Sequence, residues 1–271
     1  MAVKAYPPVR SRAVMVRNRT GLKRVVAAHL KLIAKDAVAQ LQLTLGLLGK
    51  SDDAKTKAEQ AMANIHLKWD DLPSEAEPYI AAMAVAGGEL SIKQLGGDNA
   101  YEDFGEGMRA NANVWAKDRA AEMVGKKWVG GELIDNPNAA WAIDQSTRDS
   151  LQAYVTAAIE DGDSSEELAD RIENSFAFSS ERAIMVARTE IAKADSAGAI
   201  IGWQQTGMVK AKSWLSAGDD SVSEECTNNE AEGIVPLDWD YGDGVTAPPQ
   251  HPNCRCTLLP ELSDDDSGDE G

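Results

Sequence analysis

Two of the chain's three cysteines and one of its three histidines fall within six residues, His251-Pro252-Asn253-Cys254-Arg255-Cys256. The third cysteine, Cys226, lies a short way upstream. Cys226, His251, Cys254 and Cys256 together offer four soft or borderline ligands, the number that a closed tetrahedral zinc site takes. Clustering of scarce ligating residues is the usual mark of a metal site, and a structural Zn²⁺ is the cofactor it points to. The competing reading is a surface turn with incidental thiols. Pro248, Pro249 and Pro252 stiffen the approach by fixing φ and removing amide donors, which suits a knuckle whose side chains converge.

Catalytic patterns are hard to find. A zinc deaminase needs His-x-Glu with a distant Pro-Cys-x-x-Cys, and a zinc protease needs His-Glu-x-x-His; the chain contains neither. Four bound ligands would leave no position for an activated water. A nucleophile paired with His251 would have to be Cys254 or Cys256, which metal binding explains better. Asp219 and Asp220 sit on a Gly-Asp-Asp turn, where acids more often cap or stay solvated than hold Mg²⁺. Gly105-x-Gly107 lacks the Gly-Lys-Ser or Gly-Lys-Thr of a phosphate loop. No catalytic residue is assigned, and the expectation is a protein that is not an enzyme.

The elements that must position this cluster are mostly helical. Pro7-Pro8 predicts an extended arm over residues 1–20. From Leu22, apolar residues recur at helical spacing up to Gly49, and the stripe Leu30-Ile33-Ala37-Leu41 calls for a partner. Further helices are expected at about 53–69, at Tyr79–Leu95, at Met108–Trp128 and at about 147–160. Ser146-Thr147-Arg148-Asp149 and Ser164-Ser165-Glu166-Glu167 both read as capping boxes. A longer helix from Ser179 to about Gln205 is stopped by Gly207. The pattern then turns to β: Val209–Ser216, Gly233–Leu237 and Thr257–Leu259. The predicted fold class is therefore α+β, mostly α-helical, with a helical body followed by a small β-containing C-terminal knuckle. The divisions are a basic N-terminal arm (1–20), a helical region (21–105), a C-terminal domain (106–262) and an acidic tail (263–271) expected to be disordered.

Charge separates the two ends. Nine basic residues precede the first acid, Asp36, although the chain as a whole carries −17. An acidic body repels nucleic acid, so DNA contact, if made, falls to the arm and its Arg10, Arg12, Arg17 and Arg19. An arm that is solvated, or docked on the acidic body of a neighbouring subunit, accounts for the charge equally well. The segment 219–243 is rich in Asp and Glu, the wrong sign for a zinc-stabilised module gripping phosphates. No apolar run approaches the roughly 20 residues that span a bilayer, so no membrane partner is expected. No secretory signal is evident, and an odd number of cysteines fits synthesis in a reducing cytoplasm.

Three ordered blocks carry a family resemblance. Pro248-Pro249-Gln250-His251-Pro252-Asn253-Cys254-Arg255-Cys256, the helix segment Ala187-Arg188-Thr189-Glu190, and Lys212-Ser213-Trp214 followed by Asp219-Asp220 resemble the phage Mu F-like minor head proteins, the head-morphogenesis family of tailed phages. The likeness covers roughly residues 106–260. It implies structural roles for Arg188, Glu190, Trp214 and Asp219. It also implies a low-copy minor capsid protein of the virion head near the portal vertex, made in the host cytoplasm and acting in head assembly and genome packaging or delivery. Its implied partner is the portal protein, with the major capsid or scaffold protein as a further candidate; the Leu30–Leu41 stripe, long and without an obvious partner in the chain, is the expected portal interface. A zinc-stabilised nucleic-acid-binding or nuclease-like phage protein is the alternative. Many members carry Cys-x-x-Cys where this chain has Ser223-Glu224-Glu225-Cys226. Either His251 completes the tetrahedron, or the site binds metal weakly or not at all.

Overall fold

A computed structural model describes residues 9–47, 53–140 and 142–262. The expected acidic tail, and Met1–Pro8 of the expected arm, lie outside the described residues. The fold is α+β and mostly helical, as predicted: α1 (Val9–Leu47), α2 (Ala54–Ala63), α3 (Leu72–Glu122), β1 (Lys126–Val129), β2 (Glu132–Asp135), α4 (Ile143–Asp161), α5 (Ser165–Glu173), α6 (Ser180–Thr206), β3 (Val209–Leu215), α7 (Glu224–Ala231), β4 (Ile234–Pro236) and β5 (Thr257–Leu262). The chain forms two compact units, to both of which α1, α3 and α6 contribute.

One unit comprises residues 22–77 and 117–184. Its part of α1 buries Leu22, Val26, Leu30, Ile33, Ala37 and Leu41. The Leu30-Ile33-Ala37-Leu41 stripe, expected to wait for an outside partner, is therefore core: each of the four is at most 2% exposed. Gln40 ties the helix to the strand-like segment before α3, accepting from the His66 amide and donating to the His66 carbonyl, each at 2.9 Å. The capping box at Ser164 is present in full, Ser164 Oγ accepting from the Glu167 amide and Glu167 Oε2 from the Ser164 amide. Ser146 caps nothing: α4 starts earlier, at Ile143, and Ser146 lies inside it. Its hydroxyl instead accepts from Arg182, a buried guanidinium that also donates to Thr147 Oγ1 and to the carbonyls of Ile143 and Ala177. The expected helix to Trp128 stops at Glu122. Gly130 and Gly131, with φ of 60° and 90°, turn the following residues into the β1–β2 hairpin, as two consecutive left-handed residues do in type I′ turns.

The other unit takes in residues 1–21, 78–116 and 185–271 as far as they are described. Residues 9–20, expected to be extended, are helical. Proline removes its own amide and restrains the residue before it, so Pro7-Pro8 is compatible with a helix starting directly afterwards at Val9. The loop expected at 96–99 is a kink within α3 at Gly96-Gly97. α3 and α6 approach closely where Gly198 faces the Ala84 carbonyl and Gly202 faces Gly88 and Ser91; a Cβ at either glycine would overlap its neighbour. Gly207, at φ 67°, ends α6 as predicted. The sheet then runs β4-β3-β5, antiparallel throughout, with Trp214 opposite Leu258 and Lys212 opposite Val235 and Pro260.

Candidate metal centre

The sheet's inner face meets Trp203 of α6 in a core with Val209, Trp214, Leu258, Cys226 and Cys254. The thiols are thus part of a packed interior, which rules against a surface turn with incidental cysteines. Local sequence explains how each arrives. His251-Pro252-Asn253-Cys254 is a tight turn closed by the Cys254 amide donating to the His251 carbonyl at 3.1 Å. Proline takes its second position and Asn253, at φ 64°, its third; asparagine tolerates that left-handed backbone, which most side chains avoid. The turn brings His251 and Cys254 onto one side. Cys226 comes from α7, a helix absent from the sequence reading.

The three sulfurs lie within 4.8 Å of one another. Cys226 Sγ is 3.6 Å from Cys254 Sγ and 3.4 Å from His251 Nε2. Tetrahedral zinc with ordinary bond lengths has edges of about 3.8 Å between sulfurs and about 3.6 Å between sulfur and nitrogen. The three sulfurs are thus grouped closely enough to hold one metal ion, while His251 flanks that group, its Nε2 beside Cys226. His251 Nδ1 lies 2.9 Å from the Pro252 carbonyl. A carbonyl can only accept, so Nδ1 is the donor of that bond and Nε2 is the nitrogen left to face Cys226.

Electrostatics favours a thiolate at one of the three cysteines, Cys254. Hydrogen bonding, first from the Cys256 thiol and then from backbone amides, holds the Cys254 thiol well below its ordinary range. Cys256 is driven upward by that same interaction, and burial raises Cys226. Three crowded thiols cannot all ionise without a compensating cation, which is the condition a bound metal meets. The buried indole N–H of Trp214 makes no hydrogen bond of ordinary geometry, yet it favours the Cys256 thiolate.

Ser223 stands where a further cysteine was considered, and its side chain is otherwise engaged. It caps α7, accepting from the Cys226 amide at 3.2 Å. Around the knuckle, Asp219 takes Arg255 in a two-pronged pair at 2.5 and 2.6 Å, fixing the residue between Cys254 and Cys256. Arg255 and the Ser221 amide hold the Asp219 carboxyl down to about 2. Thr189 Oγ1 accepts from the Asn253 amide at 3.1 Å, so the Ala-Arg-Thr-Glu segment of α6 supports the turn directly. Glu190 beside it is buried and Arg188 half-buried, on different faces as their spacing requires. Asn229 of α7 donates to Gln250 at 2.8 Å, next to His251.

The sequence reading overlooked Thr189, Arg255, Asn229, the cap by Ser223 and the burial of Lys212. Hydroxyl and amide residues flanking a ligand are a signal for such supports, but their partners lie 21 to 64 residues away. Arg12 and Arg17 are exposed on α1 and Arg19 is half-buried, while the Arg10 side chain lies outside the described residues. Among the described residues no helix is long and apolar enough to cross a membrane.

Fold and site together define a mostly helical α+β protein whose C-terminal sheet is tied by a thiol and imidazole knuckle. The segment that builds it has known counterparts: residues 149–259 match the family model of phage Mu protein F like protein. Over that segment the match bears out the resemblance read from the three motif blocks, and it points to a phage head morphogenesis protein. No curated protein and no solved structure matches the chain.

Proposed function

We propose that the protein is a non-catalytic minor head protein of a tailed phage, acting with the portal and neighbouring capsid or scaffold subunits during head assembly and genome packaging or delivery. One observation carries the reading: the matched segment contains the α6 support, the Lys-x-Trp strand and the knuckle as a single hydrogen-bonded arrangement. The knuckle holds one structural Zn²⁺ through Cys226, His251, Cys254 and Cys256. With all four positions filled by protein, the ion staples β5 and α7 and offers no site to a substrate. The portal-facing surface is not the Leu30–Leu41 stripe, which is core. Contact with packaged DNA falls to the exposed Arg12 and Arg17 of α1.

The test is quantitative mass spectrometry of purified heads and procapsids, with zinc measured on the isolated protein. The protein should be present at a small fraction of the major capsid protein and carry about one zinc. Absence from both particles overturns the head reading. A metal-free protein whose three thiols all react freely overturns the zinc site.

A further inference from the structure

Lys212 is fully buried on β3, and its ammonium touches no carboxylate. Nζ instead donates to three carbonyls of one loop: Leu237 at 2.6 Å, Trp239 at 3.1 Å and Thr246 at 2.6 Å. An ammonium has three protons, and each finds one acceptor. Among the described residues none of these carbonyls accepts a backbone amide outside the sheet and helices. The loop would otherwise leave three polar atoms pointing inward. The Tyr241 ring lies 5.4 Å from Nζ and meets Trp214 edge-on at 4.9 Å between centroids. Burial pulls the Lys212 amine down to about 8, Asp238 and Asp240 offsetting part of that, and Asp240 is itself engaged with the amides of Gly242 and Gly244.

The loop leads directly into the ligand turn. Four residues separate Thr246 from His251; Ala247 packs in the core, and Gln250 is held by Asn229. From the same face of β3, Lys212 grips the approach to His251 while Trp214 packs in the core with Cys226 and Cys254. We infer that Lys212 is a positioning residue of the knuckle, a tethered cation that orders the 237–246 loop and so delivers His251 to the edge of the cysteine cluster at Cys226. The inference rests on the metal reading given above, while its hold on the loop can be measured without metal.

The experiment compares Lys212→Met and Lys212→Ala with the wild-type chain. Amide hydrogen exchange over residues 237–250 is followed with and without Zn²⁺, zinc affinity is obtained by chelator competition, and Co²⁺ alone serves as a spectroscopic probe of the ligand set. Both variants should exchange faster over 237–250 and leave α3 and α6 unchanged. Zinc affinity should fall about tenfold or more, the scale on which outer supports of metal ligands act, and the Co²⁺ spectrum should lose its imidazole contribution. Propylammonium, which replaces the atoms missing from Lys212→Ala, should restore slow exchange; tetramethylammonium, with no N–H, should not. If Lys212→Met does not fold, Lys212→Arg gives the same readings with the charge kept and the seating lost. Wild-type exchange in the variants overturns the inference, and so does a loosened loop with unchanged zinc affinity. A wild-type chain that binds no zinc rejects the metal reading and with it the delivery of His251.

Discussion

Replacing Ser223 by alanine separates two roles that a serine at this position could play. In the structure its hydroxyl accepts from the Cys226 amide as the N-cap of α7. Ser223→Ala should therefore destabilise the protein by about 1 kcal/mol, the usual cost of losing such a cap. For a domain of this size that lowers the melting temperature by about 2–4 °C. The zinc content should stay at about one, because none of the four ligands is touched. His251→Ala should do the reverse and cut zinc affinity, since it removes the nitrogen 3.4 Å from Cys226. Thermal unfolding by circular dichroism, with zinc by a colorimetric chelator, reads both quantities on the same samples. Loss of zinc from Ser223→Ala, or its full retention by His251→Ala, would refute the assignment of His251 over Ser223.

Asp219 gives a pH signature. Its folded value of about 2 lies below the ordinary 3.8, so its contribution is present above about 4 and fades as pH falls toward 2. Asp219→Asn should flatten the acid limb of stability in that window; an unchanged acid titration would show that the pair with Arg255 is screened away. For DNA, Arg12→Ala with Arg17→Ala should reduce the slope of log affinity against log salt by about 1 for each arginine that contacts a phosphate. An unchanged slope, measured by filter binding across a salt series, would remove α1 from the DNA interface.

What the sequence determined by itself was chemical type and local punctuation. Cys226, His251, Cys254 and Cys256 are legible as a ligand set because scarce residues cluster, and Pro252-Asn253 is legible as a turn because it needs only local φ. Gly207 and the Ser164 box mark helix ends for the same local reason. The hairpin at Gly130-Gly131 was also within reach, its signal masked by a helical reading of Trp128. α7 was not: an eight-residue, mostly polar segment without an apolar period forms a helix through the Ser223 cap and the burial of Cys226 and Asn229. Tertiary structure alone decided that Ser223 caps rather than ligates, that Leu30-Ile33-Ala37-Leu41 faces inward, and that Thr189, Arg255 and Lys212 serve the knuckle. The supports from Thr189, Arg255 and Lys212 depend on contacts between residues 25 to 64 apart in sequence, which become defined only when burial brings donors and acceptors together away from water.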